Sequence, residues 1–257
     1  MLKMTEENRT PEPVLDEIPK GYYRIELDSL PSKGIAYPKG TKILSRPLKV
    51  LELKHLATMT EKTADAVIND VLKGSVLGID YGDLVVADKV FLIMWQRAQT
   101  YKDDRFGVTY VCPECGSKDK YVFDVSEIEM DDVDPDYSPE KEYDLGSAKV
   151  RIDQPRVKDV ARVTAYMKDH PDADPEILGS IAYRILSVGG KEVSIDEAYD
   201  FCVNLPGADF VKLNGICRKT EMSINPIVRI ACGKCGRKVP VGVSFRSDFF
   251  LPEYTGW

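Results

Sequence analysis

The sequence contains only two histidines, His55 and His170, and neither stands near a serine or cysteine in a nucleophile motif. That argues against the common serine and cysteine hydrolase arrangements. His55 lies in a charged helical segment and His170 precedes Pro171 in a loop, so both are expected to face solvent. No Gly-x-x-x-x-Gly-Lys-Ser/Thr phosphate cradle occurs, and Gly189-Gly190-Lys191 lacks its spacing and reads as a turn. Asp131, Asp132, Asp134 and Asp136 have neither the turn glycine nor the closing glutamate of an EF-hand, which leaves a solvated linker as the reading. Long apolar runs are also missing. The most apolar helix candidate, Leu84 to Trp95, contains Asp88 and Lys89, far from the ~20 uninterrupted apolar residues that cross a bilayer. The first residues, with Glu6, Glu7, Arg9, Pro11 and Pro13, lack the apolar core of a secretion signal. The protein is therefore expected to fold where it is made, in a reducing compartment, and no enzymatic activity is expected of it.

What is present points to a soluble α+β protein. The 257 residues carry 35 basic and 42 acidic side chains, a formal charge of −7 that argues against a general grip on nucleic-acid phosphates. Five segments are expected. Residues 1–21 form a polar N-terminal arm, 22–109 a helical N-terminal region, and 110–150 a first cysteine knuckle with an acidic linker. Residues 151–223 form a helical insertion, and 224–257 a second knuckle with the C-terminal segment. In the arm, Met1 to Lys20 has too few apolar side chains to offset its own ordering entropy. Together with the apolar residues that follow, as far as about Tyr37, it is expected to order against a partner.

Local signals predict the elements. Tyr23, Ile25 and Leu27 alternate as a strand does, and Pro31, Gly34, Pro38 and Gly40 then exclude a regular helix. Helices are predicted from about Pro47 to Met59, from Ala64 to Leu72 with Thr63 as cap and Gly74 near the end, and from Asp83 to Gln99. The run Asp124 to Asp144 has ten acidic side chains against Lys141 alone and reads as a solvated loop. Four more helices follow: Pro155 to Lys168, Asp174 to Val188, Ser194 to Asn204 and Ala208 to about Thr220. The second opens with a cap followed by proline, and the third with the capping box Ser194 to Glu197. Ile227 to Phe250 returns to strand-like alternation.

Four of the six cysteines stand in two matching frames, Cys112-Pro-Glu-Cys115-Gly and Cys232-Gly-Lys-Cys235-Gly. Two cysteines three apart on a tight turn aim both thiolates at one ion, and the following glycine permits a backbone that other residues resist. Strands are expected on both sides of each turn. The expectation is one structural zinc ion per chain, held by Cys112, Cys115, Cys232 and Cys235. The 116 residues between Cys115 and Cys232 are no obstacle. Lengthening a loop from about twenty residues to that size adds on the order of 1.5 kcal/mol of closure entropy, against roughly 10–16 kcal/mol gained from zinc in finger peptides. Separate redox pairs and unrelated core thiols are the alternatives, but neither pair precedes a helical pattern as redox pairs do. Cys202 and Cys217 fall on apolar helix faces and read as core thiols. A zinc-ribbon nucleic-acid-binding protein is the rival function, because Arg229, Lys234, Arg237, Lys238 and Arg246 make the second knuckle basic.

Several segments occur in a distinctive order: Leu30-Pro-Ser-Lys-Gly-Ile-Ala-Tyr37-Pro38, Arg46-Pro-Leu-Lys-Val50, and Arg97-Ala-Gln-Thr-Tyr101 before Cys112. Then come Ile224-Asn-Pro-Ile227 before Cys232, and Asp248-Phe-Phe-Leu-Pro252. With these the chain resembles the baseplate hub and hub-assembly proteins of T4-type contractile-tailed bacteriophages. Leu251 departs from the pattern, where an aromatic residue is expected. The resemblance implies a structural or assembly role rather than catalysis, with other tail and baseplate proteins as partners. It also implies residence in the host cytoplasm during assembly and then in the virion tail baseplate.

Overall fold

The computed structural model describes residues 17–251, excepting 104, 125, 126, 129 and 131–133. Strand β1 (Tyr23–Ile25) pairs antiparallel with β2 (Ile43–Ser45), which pairs with β3 (Val76–Leu77) to complete a first sheet. Between β1 and β2 the chain winds through turns. Gly34 has φ +74, and a Cβ there would lie 2.8 Å from the Leu27 Cβ, so conformation and space both require glycine. Helices α1 (Val50–Ala57), α2 (Ala64–Lys73) and α3 (Val86–Tyr101) cover this sheet and share its core.

Helix α3 begins three residues later than the sequence suggested. Asp83 does not cap it: residues Tyr81–Asp83 form a 3-10 turn, and the Asp83 carboxylate instead pairs with Lys158 at 2.5 Å. Leu84 and Val85 stay extended because their backbones bond elsewhere, Leu84 O with Val157 N (2.9 Å) and Val85 N with the Tyr37 hydroxyl (3.0 Å).

The first turn of α3 buries Asp88 completely. Its carboxylate accepts the Ser32 N–H (2.9 Å), the Ser32 hydroxyl (2.6 Å) and the Tyr37 hydroxyl (2.5 Å). Burial pushes the Asp88 carboxyl up from its ordinary value, and the Ser32 and Tyr37 donors pull the other way. Residues 22–37 are thus not part of an arm awaiting a partner. Ile25, Leu30 and Tyr37 are buried in the chain's own first core. Of the expected arm, residues 1–16 lie outside the described residues.

Strands β4 (Arg105–Val111) and β5 (Lys118–Asp124) form the first cysteine hairpin. The acidic run that follows is more structured than a solvated loop at several described positions. Tyr137 is buried in the first core, Asp134 pairs with Lys219 at 3.1 Å, and residues Glu142–Asp144 form β6. Strand β6 pairs with β7 (Lys149–Ile152), where the chain turns into α4 (Val157–Asp169) and α5 (Pro175–Ser180). Strands β8 (Ile185–Val188) and β9 (Lys191–Glu192) extend the same sheet in the order β6-β7-β8-β9. The expected helical insertion therefore contributes strands β8 and β9 to a four-stranded sheet that begins with β6 in the acidic linker. The helix expected from Asp174 to Val188 stops at Ser180, because Ile185 and Ser187 are buried in alternation with half-buried neighbours, a period of two. Asp174 does cap α5, accepting the N–H groups of Glu176 and Ile177.

Helices α6 (Ile195–Asn204) and α7 (Gly207–Thr220) follow as the sequence indicated, α6 with its Ser194–Glu197 capping box formed. Strands β10 (Ile227–Ala231) and β11 (Lys238–Gly242) make the second cysteine hairpin, and the strand-like tail ends instead in a short helix α8 (Ser247–Phe250). The two cysteine hairpins share a second core, and the insertion has a third. Phe249 ties the first two cores together: it stacks on Phe106 (5.0 Å) and meets Phe250 edge-on.

Replacing Asp88 by alanine strands three buried donors. At about 1–3 kcal/mol for each unsatisfied group, Asp88→Ala is expected to lower the free energy of unfolding by at least ~3 kcal/mol in urea titrations. The exposed Asp28→Ala serves as the unaffected control. A loss below about 1 kcal/mol would show that this anchor does not hold the N-terminal segment.

Candidate metal centre

The two cysteine turns are built alike. In the first, Cys112 N–H donates to Ser117 O and Gly116 N–H to Cys112 O, both at 2.9 Å; in the second, Cys232 N–H donates to Arg237 O and Gly236 N–H to Cys232 O, both at 2.8 Å. Gly116 (φ +67) and Gly236 (φ +73) occupy the left-handed region that this hydrogen-bond pattern requires. Each turn joins two antiparallel strands whose inward residues, including Phe106, Phe123, Ile230 and Val239, form the shared second core. Packing those faces together brings the turns tip to tip.

The four sulfurs converge at that point, all within 4.8 Å of one another. Cys112 Sγ lies 3.7 Å from Cys235 Sγ, and Cys115 Sγ lies 3.8 Å from Cys232 Sγ. Both spacings greatly exceed a disulfide bond of about 2.05 Å. They match the ~3.8 Å edge of a tetrahedron whose centre-to-sulfur distance is about 2.3 Å, the Zn–S value. Cys112 and Cys232 are buried, Cys115 is half-buried and Cys235 is exposed.

Ionisation of the set is uneven. The Ser117 hydroxyl and the N–H groups of Cys235 and Lys234 hold the Cys232 thiol down to about 5, and the Ser117 hydroxyl and N–H lower Cys115. At Cys235 the Arg237 N–H favours the thiolate, but partial loss of water around the sulfur and the three neighbouring sulfurs push the thiol up to about 12. Four thiolates cannot crowd together without a cation between them, so the donor set suits a thiophilic divalent ion. Ser117 carries no signal of its own in the sequence. Its hydroxyl sits 3.1 Å from Cys115 Sγ and 3.3 Å from Cys232 Sγ, bridging the hairpins, yet the equivalent position in the second turn is Arg237, so no repeated pattern marked it.

A family model described as T4 bacteriophage base plate protein matches residues 22–251. The chain belongs to this family. No curated protein and no solved structure matches it. In this baseplate protein the segments that carried the resemblance act as internal fasteners. Ser32 and Tyr37 hold Asp88. Arg46 makes a bidentate pair with Glu52 (2.6 and 2.9 Å) and donates to Gly74 O. Arg97 donates to Asp103 O and Arg105 O, both at 3.0 Å, and lies over the Phe106 ring, while the Tyr101 hydroxyl donates to Phe250 O at 2.6 Å. Ser32, Tyr37 and Arg46 fasten the N-terminal region to itself, while Arg97 and Tyr101 tie α3 to the start of β4 and to α8.

The remaining expectations fall away from the sulfur cluster. His55 and His170 are exposed, with His170 stacked on Tyr166. Gly189-Gly190 forms the tight turn between β8 and β9, with φ of +57 and +80. Cys202 and Cys217 are buried in the third core, where burial pushes Cys202 up to about 12 and raises Cys217 as well. Asp131 and Asp132 lie outside the described residues. No described helix is long and apolar enough to cross a membrane.

Because Gly116 and Gly236 play equivalent parts, and a Cβ at either would meet nothing within 4 Å, alanine at each should cost only the backbone strain, about 1–2 kcal/mol. Gly116→Ala and Gly236→Ala are expected to destabilise equally within about 0.5 kcal/mol in thermal or urea unfolding. Asn, which tolerates this conformation better, should recover part of the loss.

Proposed function

We propose that this protein is a structural or assembly component of the hub region of the tail baseplate. It acts by binding other tail proteins, with one structural zinc ion held by Cys112, Cys115, Cys232 and Cys235. The family supports a baseplate role. The observation that carries the zinc reading is the pair of sulfur spacings, 3.7 and 3.8 Å, across two hairpins that lie far apart in the sequence. Four protein ligands fill a tetrahedral site and leave no position for water or substrate, which favours a structural ion over a catalytic one. The zinc module, the N-terminal region and the insertion then act as a rigid set of surfaces. In this reading the protein works in the host cytoplasm during assembly and resides in the tail baseplate of the virion.

Elemental analysis of the purified protein is expected to give one zinc per chain; two, or none in a folded preparation, would overturn the shared site. Cys112→Ser and Cys232→Ser should each lose the metal and destabilise the second core to a similar degree, since each removes one of four ligands. Cys202→Ser should keep the full zinc content and act only as a buried polar substitution. The baseplate role is tested separately by co-expression with the other tail proteins of the same phage and mass measurement of what remains bound.

A further inference from the structure

We propose that the outer face of the second cysteine hairpin, centred on Arg229, Lys234 and Lys238, is a docking surface for an acidic face of another baseplate subunit. The proposal rests on the baseplate reading above. From Ser223 to Ser247 the chain has five cationic side chains, Arg229, Lys234, Arg237, Lys238 and Arg246, and no acidic one. The whole chain carries −7, so setting these five aside leaves −12 on the remainder. Basic charge is thus concentrated in one hairpin of an acidic protein.

Two of the five are already engaged. Arg237 bridges to Glu114 of the other knuckle at 2.8 Å, and Arg246 pairs with Glu61 at 3.1 Å. Arg229, Lys234 and Lys238 are exposed and have no ion-pair partner among the described residues. Strand alternation places two of them together. Val228, Ile230, Val239 and Val241 point into the second core, so Arg229 and Ala231 on β10 share the outer face with Lys238 and Pro240 on β11. Arg229 stands opposite Pro240, and Ala231 opposite Lys238. Lys234 projects from the turn at the end of the same hairpin. The cations are not explained as neutralising the metal site, because a divalent ion on four thiolates leaves −2 and the four cations of the hairpin exceed that by about two charges.

The surface suits a protein better than a nucleic acid. The rings of Phe106, Tyr110 and Phe123 are buried, and no aromatic residue lies on the outer face of the hairpin to stack a base. Three free cations around the small apolar patch of Ala231, Pro240 and part-exposed Ile227 resemble a protein interface with a charged rim. A polyanion would also have to approach the −12 carried by the remainder of the chain, whereas a folded acidic face brings a few carboxylates over a short range. Pro240 has no N–H to offer a strand added at β11, which favours contact through side chains.

The test compares the full-length protein with the triple variant Arg229→Glu, Lys234→Glu, Lys238→Glu, each co-expressed with the other tail proteins of the phage. Zinc content and melting temperature report whether the variant folds. The expected result is unchanged metal and melting temperature, with incorporation into the tail complex reduced about tenfold or more near 0.15 M salt. In the wild-type complex, carbodiimide, which joins amines to carboxylates without a spacer, is expected to link Lys234 or Lys238 to an Asp or Glu of a different subunit. If the triple variant loses its metal, the milder Lys234→Gln, Lys238→Gln pair takes its place, with a reduction of about threefold or more expected. Equal incorporation of folded variant and wild type overturns the inference and leaves the baseplate role standing. Cross-links from these lysines only to a second copy, or a DNA duplex of about 20 base pairs shifted by the wild type but not by the variant at that salt, also overturns it. A wild type that joins no tail complex removes the baseplate role and this surface with it.

Discussion

The meeting of the two cysteine turns is the constraint on which the architecture depends. Bringing Cys115 beside Cys232 closes a loop of 116 residues, at an entropic cost of about 4 kcal/mol for a flexible chain. The chain between them is not flexible. Its third core folds the insertion into a body of its own, and that body is fastened to the N-terminal region where it begins. Val86 N–H donates to Pro155 O at 2.8 Å and Val157 N–H to Leu84 O at 2.9 Å, so the start of α4 is tied to the start of α3. A second tie lies near the return to β10, where Met130 bridges Ile224. With both ends of the loop held, the sulfurs meet at little further cost, and an ion bound there would lock what packing has already aligned.

Arg156 shows how the fastening is achieved. Its guanidinium donates to Asp83 O (2.6 Å) and Ala36 O (2.8 Å), pairs with Asp153 (2.7 Å), and lies over the Tyr37 ring. One side chain of the insertion thereby touches the turn before α3 and the segment that holds Asp88. Arg184 does the same within the insertion, fully buried and donating to Asp153 O and Cys217 O. Buried charges are tolerated because each is surrounded by acceptors or donors, and removing any one would leave its partners unsatisfied. Such a frame is stiff, which is what a protein needs if it works by presenting surfaces to neighbours.

The residues that carry the family likeness belong to this frame rather than to a pocket. Ser32, Tyr37, Arg46, Arg97 and Tyr101 each reach a partner at least six positions away, and for Tyr101 the partner is Phe250, near the other end of the described chain. The basic second hairpin stands outside that network, with three of its cations facing solvent. Its charge is therefore free to act on whatever docks against it.

The sequence by itself determined what depends on contacts within a few residues. The Cys-x-x-Cys-Gly turns, the Ser194–Glu197 capping box and the Asp174 cap before Pro175 were all legible, because caps and turns are settled by hydrogen bonds between near neighbours. That the four cysteines belong together was legible too, since two matching Cys-x-x-Cys-Gly frames point to one another by chemistry. What only the tertiary structure decided is where a segment's partner lies far away. Ile185 to Val188 read as the end of a helix, and pairing with β7 made it a strand; Glu142 to Asp144 looked like solvated acid until the same sheet claimed it. Asp88 appeared only as a polar break in an apolar helix, and its part as the anchor of residues 32–37 emerged when folding buried it. Local hydrogen bonds leave a mark in adjacent letters of the sequence, whereas sheet pairing and burial are properties of the assembled core.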